Sequence, residues 1–206
     1  MRLLDRLYAA GFDLVENRID AQGGAEHRRR LVAEAKGEVL EIGAGTGRNL
    51  GGYEQARRVV ALEPAPEMRS RAQRRADQAR VPVEVIDGDA MALPFPDDSF
   101  DTVVASLVLC TIPDPAVALA EAHRVLRADG TIRFYEHVRA EDPKLARLQD
   151  RFCRPWHWFG RGCNPNRDTV ALIARAGFAI TDLDRFDFEG TPRLVRPHVL
   201  GVAERR

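Results

Sequence analysis

Apolar residues along this chain gather in short runs set between stretches of helical spacing. Val39-Leu40-Glu41-Ile42, Val59-Val60-Ala61-Leu62 and Val83-Glu84-Val85-Ile86 are strand-like and rich in β-branched residues. Phe100 to Ala105 and Thr131 to Tyr135 continue the series. Short buried strands alternating with helices predict a mostly parallel sheet covered on both faces. After the fourth run, Asp114 is placed to cap a helix and Pro115 to occupy its first turn. Val117, Ala118, Ala122, Val125 and Leu126 give that helix its apolar face, and Gly130 is expected to end it. Residues 141–160 are aromatic and arginine-rich. A helix is expected from Asn166 to Ala176, stopped by Gly177. Two closing strands, Ala179–Phe188 and Val195–Glu204, form a late antiparallel pair. At the other end, Leu3, Leu4, Leu7, Tyr8, Phe12 and Val15 recur at helical spacing between charged residues. This predicts an amphipathic helix whose apolar face docks on the core, with contact at a membrane surface as the other reading. No linker composition interrupts the chain, so residues 1–206 are read as a single domain, with residues 1–36 as a helical cap.

Composition narrows the picture. The 206 residues are 45% hydrophobic, enough for one real core. Lys and Arg number 31 and Asp and Glu 31, so the basic footprint of a nucleic-acid binder is missing. No run approaches the roughly 20 apolar residues of a membrane span, and no secretory signal core is visible. A cytoplasmic protein is expected. Three scattered cysteines, Cys110, Cys153 and Cys163, do not suggest a disulfide framework. Cys153, His157 and Cys163 lie close in sequence, but their spacing matches no zinc pattern and a fourth ligand is lacking, so no metal is expected.

The strongest local signal is Glu41-Ile42-Gly43-Ala44-Gly45-Thr46-Gly47, which follows a strand and is expected to open a helix. Glycines there let the backbone turn tightly and approach a ligand. Arg48 stands where a dinucleotide fingerprint wants Gly or Ala, and the Lys-Ser/Thr ending of a phosphate loop is absent. The site is therefore read as one without a pyrophosphate. Glu63, closing the second strand, can accept hydrogen bonds from both hydroxyls of a ribose. Asp89, with Ala90 after the third strand, can take an adenine amino group. The plainer alternatives are a surface Glu before a proline turn and a solvated loop Asp.

Together these pieces resemble the class I S-adenosylmethionine-dependent methyltransferases. The resemblance rests on the glycine segment, Glu63, Gly88-Asp89-Ala90-Met91-Ala92-Leu93-Pro94-Phe95, and Arg124-Val125-Leu126-Arg127 before Gly130. It implies a Rossmann-like α/β fold: a seven-stranded, mostly parallel sheet with its last strand antiparallel and helices on both faces. It also implies S-adenosyl-L-methionine as cofactor, held by Glu41, Gly43, Ala44, Gly45, Thr46, Gly47, Glu63, Pro64, Met68, Asp89, Ala90, Ser106 and Leu107. A narrower series follows: Ser106-Leu107-Val108-Leu109-Cys110, Glu136-His137-Val138, Trp156-His157, Gly162-Cys163-Asn164, Arg167 and Leu194-Val195-Arg196-Pro197-His198. This series is similar to the methyltransferase-like alkyl-thiol S-methyltransferases of animals and their bacterial relatives. The animal proteins begin with a membrane anchor that this sequence lacks.

The resemblance implies a small, largely apolar and diffusible thiol as the methyl acceptor, methylated by direct in-line transfer. In-line transfer requires that the acceptor be aligned behind the methyl and that water be excluded. A thiol must also lose its proton, because the thiolate is the nucleophile. His137 is the candidate to accept or attract it, the alternative being a histidine bonded to backbone. Cys110, Trp156, His157, Trp158 and His198 are candidates for the acceptor pocket, with residues 141–176 as a helical insertion on that side. The competing readings are C- or N-methylation of a quinone precursor or lipid headgroup, and a cofactor-binding module without catalysis.

Overall fold

The computed structural model describes residue 11 and residues 13–206. Residues 13–19 are helical and pass through a π-turn at Asp20–Gly24, kinked at Gly23, into α1 (Ala25–Val32). There follow β1 (Gly37–Ile42), β2 (Ala56–Leu62), α2 (Pro66–Ala76), β3 (Val83–Ile86), β4 (Phe100–Ser106) and α3 (Pro115–Val125). The chain closes with β5 (Leu126–His137), α4 (Pro143–Phe159), α5 (Thr169–Arg175), β6 (Phe178–Asp187) and β7 (Pro197–Arg205). The seven strands form one sheet in the order β3-β2-β1-β4-β5-β7-β6. Strands β1 to β5 pair in parallel, and β7 runs antiparallel between β5 and β6. This is the sheet the resemblance implies.

Alternation along the strands builds two cores, because successive side chains point to opposite faces. Leu40, Ile42, Val60, Leu62, Val103, Ala105, Ile132 and Phe134 share one face with Leu119 and Ala122 of α3 and Ile173 of α5. Val39, Val59, Ala61, Val104 and Tyr135 share the other with Leu31 and Val32 of α1 and Ala72 and Ala76 of α2. Each buried aliphatic side chain contributes about 1.5–3 kcal/mol, and truncating one such as Leu119 to Ala costs roughly 2–5 kcal/mol.

The helix caps follow the sequence. Asp114 accepts from the Ala116 and Val117 amides, Asp142 from Lys144 and Leu145, and Asp168 from Ala171. Gly177 takes φ +92° just past α5. Gly130 does not end α3. That helix stops at Val125, where the Asp98 and Ser99 amides take the carbonyls of Arg124 and Val125, and Gly130 falls within β5. The glycine segment opens no regular helix either. It runs through turns into a 3-10 turn, Leu50–Gly52, because two glycines in succession are poor helix formers and Asn49 and Tyr53 are drawn inward onto Glu41.

Of the expected amphipathic helix, Leu3, Leu4, Leu7, Tyr8 and Phe12 lie outside the described residues. Within them, Val15 is exposed, and the contacts that the described residues make are ionic. Asp13 accepts from the Thr46 hydroxyl at 3.1 Å and pairs with Arg48, Arg71 and Arg75 at 2.9, 2.5 and 3.1 Å. Arg28 pairs with Glu16 and Asp20, and Arg48 also with Asp20. Among the described residues no helix is long and apolar enough to cross a membrane.

Candidate active site

The sheet reverses its direction of growth between β1 and β4, and open α/β sheets bind ligands outside the strand ends at such a point. The glycine loop emerges there. Its three glycines have positive φ, at +64°, +57° and +81° for Gly43, Gly45 and Gly47, but for different reasons. A Cβ on Gly43 would lie 2.2 Å from Val108, and one on Gly47 2.8 Å from the Ala72 backbone of α2. These two let the loop pack against its neighbours. A Cβ on Gly45 would meet nothing within 4 Å, so that residue turns toward open space.

Glu63 lies beside it. One carboxylate oxygen accepts from the Gly45 amide at 2.9 Å and the other from the Ala65 amide at 2.8 Å. Burial pushes its pKa up, against those two hydrogen bonds, and each oxygen keeps a lone pair for a further donor. An open glycine face and a fixed, half-satisfied carboxylate at the end of β2 fit the sugar of S-adenosylmethionine. Of the other residues singled out in the sequence, Ala44, Met68 and Ala90 are buried, and Pro64 and Asp89 are exposed. Asp89 accepts from the Met91 amide at 2.8 Å. Thr46 is turned toward Asp13. Glu41 also faces inward. It accepts from Asn49 Nδ2 at 2.7 Å and the Tyr53 hydroxyl at 2.8 Å, and burial raises its pKa to about 7. Ser106 ends β4, and Leu107 follows at φ +53°, a conformation costly for a residue with a Cβ.

What holds that turn is Glu136, a residue quoted in the sequence motif but not singled out. Its fully buried carboxylate accepts from the amides of Val108 and Leu109, both at 2.8 Å, and of Cys110 at 3.3 Å. Burial raises its pKa to about 6 in spite of those donors. A second brace comes from the loop after α4. The Asn164 amide and side chain both donate to the Cys110 carbonyl, and Arg167 donates to the carbonyls of Leu109 and Ile112.

These braces bring Cys110, His137 and Cys163 together at the ends of β4 and β5. His137 Nε2 lies 3.1 Å from Cys163 Sγ, and Trp156 Nε1 donates to the same sulfur at 3.2 Å. Cys163 is pulled toward the thiolate, first by its hydrogen bond with Cys110 and then by His137 and Trp156, while the same contact pushes the Cys110 thiol up. Cys153 and His157, the sequence neighbours of Cys163, sit apart. Cys153 bonds Asn166 at 3.0 Å, and exposed His157 meets Asn164 at 3.3 Å.

His198 pairs with His137 across β5 and β7, but its ring stacks on Tyr135 and Phe186, and its Nδ1 donates to the Arg196 carbonyl at 2.9 Å. Burial lowers its pKa to about 4, which favours the neutral ring. Trp158 and Phe159 are each 76% exposed and pack edge-to-face on each other at the end of α4. A cleft of about 490 Å³ opens beyond β5 and β7, lined by Arg139, Arg185, Arg193 and Arg196. Of the candidate pocket residues His198 stands on its wall, whereas the glycine loop, Glu63 and the three cysteines do not.

Residues 40–134 match the family model described as a methyltransferase domain. Human thiol S-methyltransferase TMT1A is 35% identical over 171 residues, covering 80% of this chain and 69% of that protein. Phosphatidylethanolamine N-methyltransferase of Cereibacter sphaeroides is 34% identical over 140 residues, covering 63% and 69%. Among solved structures, a Thermotoga maritima SAM-dependent methyltransferase, described as a possible histamine N-methyltransferase, superposes with a TM-score of 0.73. It is 20% identical and covers 98% of this chain and 97% of that one, a likeness of fold. With the glycine loop, Glu63 and the strand order already placed, the chain belongs to the class I S-adenosylmethionine-dependent methyltransferases, in the family that includes the thiol S-methyltransferases TMT1A and TMT1B.

Proposed function

We propose that this enzyme methylates a small, largely apolar thiol. S-adenosylmethionine supplies a methyl group already activated on a sulfonium sulfur. The protein's task is to bind the cofactor through Gly45 and Glu63, with Asp89 toward the base, and to present an acceptor sulfur as its thiolate. The observation that carries the reading is the convergence of Cys110, His137, Cys163 and the Trp156 N–H beside the turn at Leu107. Donors of this kind favour a negative sulfur over a neutral amine or a carbon nucleophile. His137 is the group we assign to favouring the thiolate, and Trp156 supplies an apolar wall. The similarity to TMT1A and TMT1B supports the same acceptor class. The three cysteines stay free, and we place the enzyme in a reducing cytoplasm.

The test is turnover with the purified enzyme on a panel of alkyl and aryl thiols, set against phenols, amines, quinone precursors and phosphatidylethanolamine. Methylation confined to thiols is the expected result. Turnover of a lipid headgroup or a quinone precursor, with none on any thiol, favours the N- or C-methyltransferase reading. Cofactor binding without turnover of any acceptor leaves a binding module.

A further inference from the structure

Three soft donors meet where three segments of the chain converge. Cys110 comes from the loop after β4, His137 ends β5, and Cys163 comes from the loop after α4. Their ligand atoms all lie within 4.8 Å of one another, and Cys110 and His137 are only 2% and 6% exposed. A tetrahedral zinc ion holds sulfur at about 2.3 Å and nitrogen at about 2.0–2.1 Å, which sets neighbouring ligand atoms roughly 3.5–3.8 Å apart. The cluster spans that size.

We propose that Cys110, His137 and Cys163 form a zinc site with an open fourth position, and that this position takes the acceptor thiol as its thiolate. The second half of the proposal rests on the thiol reading above. The donor set is two thiols and an imidazole, which suit zinc and exclude magnesium or calcium. Glu136, the carboxylate nearest in sequence, is spent on three backbone amides. The His137 ring has no oxygen partner: Nε2 meets only sulfur, and Nδ1 is buried without a hydrogen bond. Buried polar atoms are rarely left so, and a small shift of the ring toward an ion or an acceptor gives it a role. The outer shell is built as well. Trp156 can only donate, so Cys163 sulfur accepts from it, and Asn164 and Arg167 fix the two cysteine loops against each other. A structural zinc closes its shell with four protein ligands, whereas three leave room for substrate.

The chemistry balances. An incoming R–SH loses its proton to solvent, and its sulfur replaces water on the metal. Zinc with two cysteine thiolates is neutral, so the bound acceptor brings one negative charge. A lone pair of that sulfur forms the new S–CH₃ bond, the sulfonium C–S bond breaks with its pair kept on the leaving sulfur, and the neutral thioether product leaves the metal as a weak ligand. A metal-bound thiolate exists at neutral pH without a titrating base.

The experiment uses the full chain, reduced, stripped with a chelator and kept anaerobic. It is titrated with Co²⁺ alone, and then with Zn²⁺ to displace it. Expected are one equivalent of uptake, the near-ultraviolet thiolate-to-cobalt band and the visible bands of a tetrahedral ion. Cys110→Ser and Cys163→Ser should abolish them, His137→Gln should weaken binding at least tenfold, and Cys153→Ser should leave it unchanged. Adding an alkyl thiol should shift the visible bands. Because Cys110 is buried and its variant can misfold, alkylation of the wild-type protein is mapped with and without zinc, which should protect Cys110 and Cys163. No stoichiometric uptake by the reduced, folded protein overturns the site, as does uptake that survives loss of both cysteines. Cobalt bands that no thiol perturbs overturn the open position. Undiminished thiol turnover by the stripped enzyme also overturns that position, and leaves the thiol reading standing.

Discussion

At the scale of single residues, the sharpest contrast lies within the glycine loop. Gly43 and Gly47 are glycine because a Cβ would strike Val108 and α2, whereas Gly45 borders open space. Gly45→Val adds the strain of a branched residue in the left-handed region and fills the side where we propose the cofactor's sugar lies. It should abolish measurable S-adenosylmethionine binding while lowering stability by only about 1–2 kcal/mol. Calorimetry beside a thermal melt separates the two effects, and wild-type affinity in the variant would remove this loop from the site. Glu63→Ala deletes a charged acceptor worth about 1.5–3 kcal/mol, so affinity should fall at least tenfold. Glu41 behaves differently because burial, not ligand, governs it. Its pKa is raised from 4.5 to about 7 in the folded protein. The folded state therefore holds that proton longer than the unfolded chain does. The stability this group contributes is full below about pH 4.5 and is lost as pH rises toward about 7. Glu41→Gln cannot titrate. Its stability relative to wild type should rise across that window, by at most about 3 kcal/mol, measured by urea unfolding at several pH values. A pH-independent difference would show that Glu41 is not shifted.

At the scale of elements, the segment before α1 is held over the glycine loop by charge. Asp13 joins Thr46 and Arg48 of the loop to Arg71 and Arg75 of α2. Among the described residues of this segment, Leu14 and Val15 are exposed and the carboxylates make the contacts; the other apolar positions of the expected helix lie outside them. Pairs this well buried and shared among several arginines are worth more than isolated surface pairs, and removing the central carboxylate takes that partner from Arg71 and Arg75 and leaves Arg48 with Asp20. Asp13→Ala should free this segment to open, raising the S-adenosylmethionine dissociation rate several-fold in stopped-flow measurements while the far-ultraviolet circular dichroism of the sheet persists. An unchanged release rate would mean that the segment is no cap. The turn at Leu107 is held on the other side of the site. Glu136→Gln replaces one acceptor oxygen with a donor aimed at the amides of residues 108–110. Activity should fall at least a hundredfold with cofactor affinity within threefold of wild type, if those amides shape the proposed acceptor side and not the ribose side.

At the scale of the whole molecule, the site is assembled from strand ends, and so ligand binding stabilises the entire sheet. S-adenosylhomocysteine at a hundred times its Kd should add about 2.7 kcal/mol, a rise of roughly 5–10 °C in Tm for a chain of this size. The fold and the identity of the cofactor were legible in the sequence because their signals are local. The strands announce themselves by β-branched runs, Asp114-Pro115 by capping chemistry, and the family by glycines next to a strand and a carboxylate one strand later. Gly130 misled because a glycine says only that positive φ is affordable. The competing bonds to the Arg124 and Val125 carbonyls were tertiary. Local spacing likewise put Cys163 with Cys153 and His157, its neighbours along the chain, while the folded chain pairs it with Cys110 and His137. Trp158 shared the aromatic composition of Trp156, yet a helix turns two adjacent-but-one residues to different sides, and only docking of α4 decided which faced inward. What the sequence determined by itself was therefore what is written within one segment: most strands and helix caps, the parallel sheet and the family to which the glycine loop points. The tertiary structure decided what depends on parallel strands ending side by side. The ends of β4 and β5 lie next to each other in the sheet but are separated in sequence by a whole crossover, and no periodicity within a segment records which side chains meet there.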